Sequence, residues 1–371
     1  MSASSKIKGT DIRAGLNHPV VDADGHVVEA TPVILDFIKQ VAGREMADRY
    51  IQFFQSFSRP NAPRKSFWLA QSGPNTIDRA TAMLPRLFRA RLDDAGIDVS
   101  LVYTSQGLSV AQIPDTELRI AAHRAYNMMY ADIFSECKDR LIPAAIIPAN
   151  TPEEALNELD YAVNELGFRL ILLNTIVMQP DAEIARATPH LAQNVMQPFS
   201  IAMDNPYDFD PVWEKCIELG VAPACHNVIQ GYGTTRSSPS NYIFNQMGSF
   251  AAGSEFFCRS LFFGGVTRRF PGLKFAFLEG GVGWAVTLLN DLHGHWEKHN
   301  LNTIDHCNPA SLDLAGMKAL FEQYGSAELA ARLDNVADRS ALTWGGEVAV
   351  EDRNEWAACE IERAEDIRDL F

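Results

Sequence analysis

The chain has 371 residues, 47% of them hydrophobic, enough to bury a sizeable core as one large domain or two ordinary ones. With 32 basic against 47 acidic residues and a formal charge of −15, it would repel a phosphate backbone, which disfavours nucleic-acid binding. The six cysteines contain no CxxC pair, the first residues are polar, and no apolar run approaches the length of a membrane span; no disulfide framework, signal peptide or membrane segment is expected, and a soluble cytoplasmic protein is.

The first strand pattern, VVDAD (20–24), runs into DGHVVE and crowds Asp22, Asp24, His26 and Glu29 together. Asp24 and His26 stand two apart, so on a strand they share a face and could enter a pocket as a ligand pair. Asp22 has the same parity and reads as a deeper structural carboxylate, while Glu29 reaches the site only if the chain turns after His26. The plainer alternative for D-x-H is a polar turn after a strand. The aromatic stretches YIQFFQSFSRP (50–60) and KSFWLA (65–70) that follow predict an inserted cap at about 39–95.

Further strand patterns appear at DVSLVYTS (98–105), LIPAAIIP (141–148), FRLILLN (168–174), VAPACHNV (221–228) and LKFAFLEG (273–280). Helical segments separate them, notably 115–137 and 151–167, the latter with a Thr cap, Pro, early glutamates and a closing Gly. His123 and Asn127, one turn apart on the first of these, read as packing or supporting groups. The connections 175–210 and 227–256 are rich in Pro, Gly, Ser and Asn and suit lids or pocket walls. On the helix starting near Val282, His293, His295 and His299 lack the HExxH arrangement and read as an exterior face.

Strand then helix, repeated, argues for a parallel sheet with helices outside it. No GxGxxG follows the first strand, and polar residues gather just after the apolar runs: Asp24 and His26, then Asn174, His226 and Glu279. In a closed α/β barrel those strand ends meet at one mouth, which favours a TIM-like barrel over an open sheet. Metal-assisted chemistry needs nitrogen and oxygen ligands facing one point with a position left open. His226 and Glu279 are candidate ligands and candidate catalytic groups. A carboxylate ending a buried run must be paired, hydrogen-bonded or metal-bound, although Glu279 could also cap the helix that follows. Asn174, and Arg236 in the loop GYGTTRSSPSN, are candidate substrate-binding residues, a solvated loop being the alternative for Arg236.

VVDADGHVVE, CHNV and RRFPGLKFAFLEGGVGWAVTLLNDL (268–292) together resemble the amidohydrolase-related family that includes aminocarboxymuconate-semialdehyde decarboxylase. The resemblance implies a single (β/α)8 barrel domain over 1–371, with one or two divalent ions (zinc, iron or manganese) at the mouth. Its ligands carry over to Asp24, His26 and His226, with Glu279 where many relatives have histidine and Glu29 as a further ligand. Relatives place an Asp after strand eight, whereas ALTWGGEVAVE (341–351) offers Glu347, and the terminal segment looks like the stretch before strand seven. A barrel lacking its last two strands is therefore expected.

The first expectation for function is a metal-dependent hydrolase acting on a small ester, lactone, thioester or amide through metal-activated water. The alternative is a metal-dependent non-oxidative decarboxylase, and the second alternative a truncated, inactive barrel retained for binding or assembly. The partner expected is a small molecule, with homodimerisation implied at family level.

Overall fold

The six apolar runs become six parallel strands that neighbour one another in chain order. The computed structural model describes residues 8–56, 75–174, 176–180, 182–188, 196–226, 238, 240–307, 312–328, 331 and 354–371. β1 (Val21–Val27), β2 (Val99–Thr104), β3 (Leu141–Ile146) and β4 (Leu170–Asn174) come first. A separate antiparallel ribbon, β5 (Val177–Pro180) with β6 (Met196–Phe199), precedes β7 (Pro223–His226) and β8 (Ala276–Phe277). The sheet order is β1-β2-β3-β4-β7-β8.

A flat sheet of this width would hold its edge strands about 24 Å apart, from five gaps of about 4.8 Å. Instead His26 Nε2 on β1 lies 4.0 Å from the carboxylate of Glu279, two residues past β8. The sheet is therefore curled, as part of a barrel. Among the described residues β1 and β8 are its edges, and no seventh or eighth parallel strand occurs. Residues 341–351 with Glu347 lie outside the described residues.

Local sequence explains the elements. Helix Thr116–Ile133 starts at Asp115, whose carboxylate accepts the Leu118 N–H, and helix Pro152–Asp160 starts at Thr151, whose hydroxyl accepts the Glu154 N–H. The core fills the space between sheet and helices, with Val102, Ile146, Ile171 and Leu173 from strands and Ile38, Ala122, Tyr126, Leu159 and Trp213 from helices. His123 and Asn127 are fully inside it, as expected for supporting groups. Asn127 brackets Ile146 of β3, accepting its N–H at 2.8 Å and donating to its carbonyl at 2.9 Å. Arg119 and Glu154 form a buried bidentate pair at 2.7 and 2.9 Å that ties the two helices together.

Within the predicted cap over 39–95, helix Thr31–Ser56, kinked at Gly43, takes up the first third, and Tyr50 hydrogen-bonds Tyr126 at 2.8 Å in the core. Helix Pro85–Ala95 is the ordinary element leading into β2, and the stretch 57–74 lies outside the described residues. The chain divides into two compact units, Met1–Trp284 and Ala285–Phe371. The second unit is helical; Trp296 packs edge-on against Trp356, and His295 and His299 are exposed, as read from the sequence, while His293 is half-buried. No helix among the described residues is long and apolar enough to cross a membrane.

Candidate metal centre

β1 is where simple alternation fails. Its pairing with β2 slips between Asp22 and Gly25, a bulge that inserts an extra residue. A Cβ on Gly25 would run into the Ser100 hydroxyl and come within 2.7 Å of Asp22 Oδ2, so Gly25, Asp22 and Ser100 share one side. Asp24 and His26 flank Gly25 and therefore point to the other. The parity argument that put Asp22 beside Asp24 is overturned by the bulge. Asp22 is nonetheless structural, accepting the Ser100 hydroxyl at 2.7 Å and the Asp24 N–H at 3.1 Å.

Asp24 and His26 meet His226, the last residue of β7. One ligand atom from each lies within 4.8 Å of the others. His226 is 1% exposed, with its ring edge-on to His26 at 5.1 Å between centroids and edge-on to Phe250 at 5.3 Å. The fourth arm comes from Glu279, whose Oε2 is 3.1 Å from His226 Nε2. Glu279 has φ of 57°, a left-handed conformation that costs a side-chain-bearing residue about 1–2 kcal/mol, so its carboxylate is held here against backbone preference. At Gly280, next in the turn, a Cβ would sit 2.9 Å from the Trp284 indole nitrogen, which explains the small residue there.

The decisive feature is unsatisfied polarity. Asp24 Oδ1 and His26 Nε2 are buried, 3.6 Å apart, and neither has a hydrogen-bond partner. Buried polar atoms are nearly always paired, because leaving one unpaired costs about 1–3 kcal/mol. His26 Nδ1 is 3.2 Å from the Thr104 carbonyl, which can only accept, so Nδ1 carries the hydrogen and Nε2 presents a lone pair. A lone pair and a carboxylate oxygen aimed at one point fit a cation. Without a cation, burial opposes charge on His26 but Asp24 and Glu279 outweigh it and hold its pKa above the ordinary histidine value, so a bound ion would take the place of a proton at Nε2. Tyr103, in register with His26, faces the same interior, and burial, then Asp24, push its phenol pKa up so that it stays an O–H donor.

The structure thus brings together Asp24, His26, His226 and Glu279. It does not bring in Glu29: this carboxylate is buried against Thr104, Ser105, Gln106 and Tyr130, and the expectation of a further ligand there is corrected. The turn after His26 that would have delivered it runs instead toward helix Thr116–Ile133. Asn174 pairs in register with His226 and donates to the Leu108 carbonyl at 3.3 Å, a place on the rim beside the cluster. Arg236 lies outside the described residues. In the connection 175–210, the β5–β6 ribbon is tied to Asn150, whose side chain donates to the Met178 carbonyl at 3.2 Å and whose carbonyl accepts from the Gln179 side chain at 2.9 Å. Thr104 and Tyr103 were not singled out in the sequence, although both end an apolar run, the same signal that picked out Asn174 and His226.

A family model described as Amidohydrolase matches residues 21–368. Among solved structures, an amidohydrolase from Mycobacterium avium subsp. paratuberculosis K-10 shares 19% identity at a TM-score of 0.53, over 77% of this chain and 79% of that one. A dihydroxybenzoic acid decarboxylase from Polaromonas sp. JS666, solved with bound manganese and the inhibitor 2-nitroresorcinol, shares 15% identity at a TM-score of 0.51, over 95% of this chain and 94% of that one. A 2,6-dihydroxybenzoate decarboxylase complexed with 2,6-dihydroxybenzoate shares 18% identity at a TM-score of 0.45; this chain spans 66% of its length. At these identities the likeness is one of fold. No protein of curated function matches.

Proposed function

The chain belongs to the amidohydrolase family, and from that premise we propose a divalent-metal-dependent carboxy-lyase that removes carbon dioxide from a small carboxylate without an oxidant. The observation that carries this reading is the pair of orphaned buried atoms, Asp24 Oδ1 and His26 Nε2, opposite His226. Asp24, His26 and His226 would hold the ion. When bound, a divalent ion supplies Lewis acidity toward a substrate oxygen. Mixed nitrogen and oxygen donors without thiolate suit manganese, iron or zinc, and manganese has the support of the Polaromonas decarboxylase.

The protein's own groups supply the proton. In decarboxylation the carbon–carbon bond breaks, the electron pair stays on the substrate carbon, and that carbon then takes a proton. His226 Nε2 and Glu279 Oε2 share a hydrogen at 3.1 Å. For His226 to offer Nε2 as a ligand that proton must leave, as metal binding to histidine generally requires, and Glu279 is the adjacent acceptor. Glu279, 41% exposed at its side chain and hydrogen-bonded to His226, faces the mouth, where it is placed to relay a proton from solvent to the substrate carbon in each turnover. Tyr103 and Asn174 orient substrate oxygens.

The hydrolytic reading, in which the same site activates water against an ester, lactone, thioester or amide, has the support of the Mycobacterium amidohydrolase at the same fold. Manganese-loaded protein incubated with a panel of hydroxybenzoates and with nitrophenyl esters separates the two. Metal-dependent carbon dioxide release is expected; ester cleavage with no carbon dioxide from any carboxylate would overturn the carboxy-lyase in favour of the hydrolase. Absence of both, together with absence of bound metal, would favour the inactive barrel.

A further inference from the structure

Glu29 is three residues from His26 and 6% exposed, yet its carboxylate is fully engaged away from the cluster. Oε1 accepts from the Thr104 hydroxyl, the Tyr130 hydroxyl at 2.5 Å and the Ser105 N–H at 3.2 Å, and Oε2 accepts the Gln106 N–H at 2.9 Å. The Gln106 side chain returns a bond to the Glu29 carbonyl at 2.9 Å. Thr104 Oγ1 also accepts the Gly107 N–H at 2.8 Å, and its own hydrogen goes to the Glu29 carboxylate, which can only accept. One carboxylate therefore gathers successive donors from the end of β2 and clamps them to the end of β1.

The residue at the centre of that clamp also touches the cluster. Thr104 offers its carbonyl to His26 Nδ1, and that contact fixes which nitrogen of His26 keeps the lone pair and where it points. We infer that Glu29 is a positioning residue for His26: by holding Thr104 from its side chain it sets the carbonyl that orients the imidazole, and so sets the affinity for a divalent ion it never touches. The inference rests on the reading of Asp24, His26 and His226 as a metal site. The chemistry demands an acceptor with no hydrogens of its own. A glutamine here would turn an amide N–H toward groups that are themselves donating.

The test is Mn2+ binding by the full-length protein, read from the EPR signal of free Mn2+, with thermal unfolding of each protein measured without metal. Glu29→Gln is expected to bind Mn2+ about 10- to 100-fold more weakly than wild type, the usual effect of losing a group that orients a ligand. Thr104→Val keeps the peptide carbonyl and near-identical shape but cuts the link to Glu29; it is expected to show a loss of the same kind, and it decides the matter if Glu29→Gln does not fold. A folded variant that melts earlier but binds Mn2+ as tightly as wild type would make the clamp merely structural and overturn the inference. Wild type that fails to bind Mn2+ would overturn the metal-site reading itself, a result visible before any variant is made.

Discussion

Asp24 and Glu29 lie five positions apart on the same stretch of chain and are the same chemical group, but their surroundings are opposite. Around Glu29 the fold supplies hydroxyls and backbone N–H groups until the carboxylate is satisfied. Around Asp24 it supplies a histidine lone pair at 3.6 Å, leaving both atoms without a hydrogen bond. A satisfied buried carboxylate holds a fold together, while an unsatisfied one facing a lone pair is arranged for something that arrives from outside. The bulge beside Gly25 turns Asp24 and His26 inward and Asp22 outward, and the turn after His26 takes Glu29 to Thr104 and Tyr130.

The largest effect should come from the unsatisfied side. His226→Ala is expected to weaken Mn2+ binding by more than about 100-fold, beyond what loss of a supporting residue does, by equilibrium dialysis with metal analysis. Unchanged binding would detach His226 from the site. For a satisfied buried pair with no link to the cluster, the effect should fall on stability alone. Arg119→Met leaves Glu154 buried without its partner and is expected to lower stability by roughly 3–5 kcal/mol in urea unfolding, with Mn2+ affinity unchanged.

His123 gives a pH signature that belongs to the interior and not to the mouth. Burial, with Arg119 nearby, pushes its pKa down to about 3 from 6.5. Between those values the unfolded chain binds the proton and the folded chain does not, so its contribution is intact above about pH 6.5 and is lost as pH falls toward 3. Unfolding free energy should drop by roughly 2 kcal/mol from pH 6.5 to pH 5 through this residue, and His123→Gln should flatten that slope. The smallest effect is expected at Asp22. Ser100→Ala removes one of its hydrogen bonds and should cost about 1 kcal/mol in thermal or urea unfolding, leaving Mn2+ binding within twofold. A large loss of affinity there would mean that the two sides of β1 are coupled, and the contrast would have to be redrawn.

Much of this was legible before the structure. The alternation of apolar runs and helices predicted a parallel sheet, and polar residues trailing those runs picked out Asp24, His26, His226 and Glu279, because a strand end at a barrel mouth is where such groups can converge. Glu29 misled for a physical reason: sequence shows that a carboxylate is near, but not which way the chain turns, and the turn took it to Thr104 and Tyr130. Asp22 misled because a bulge changes side-chain parity without leaving a mark beyond one glycine. The aromatic stretches 50–60 and 65–70 predicted a cap because aromatics in a long gap often form one; Tyr50, at the start of the first, has a hydrogen-bonding partner on a neighbouring helix, which no local pattern could announce.

The central claim is that the unsatisfied pair on β1 is half of a metal site. Metal analysis of wild type and Asp24→Asn, each exposed to Mn2+ and then desalted, tests it most directly. A stoichiometric divalent ion in wild type and its loss in a folded Asp24→Asn is the predicted result. Wild type without bound metal, or the same metal content in both proteins, would contradict it.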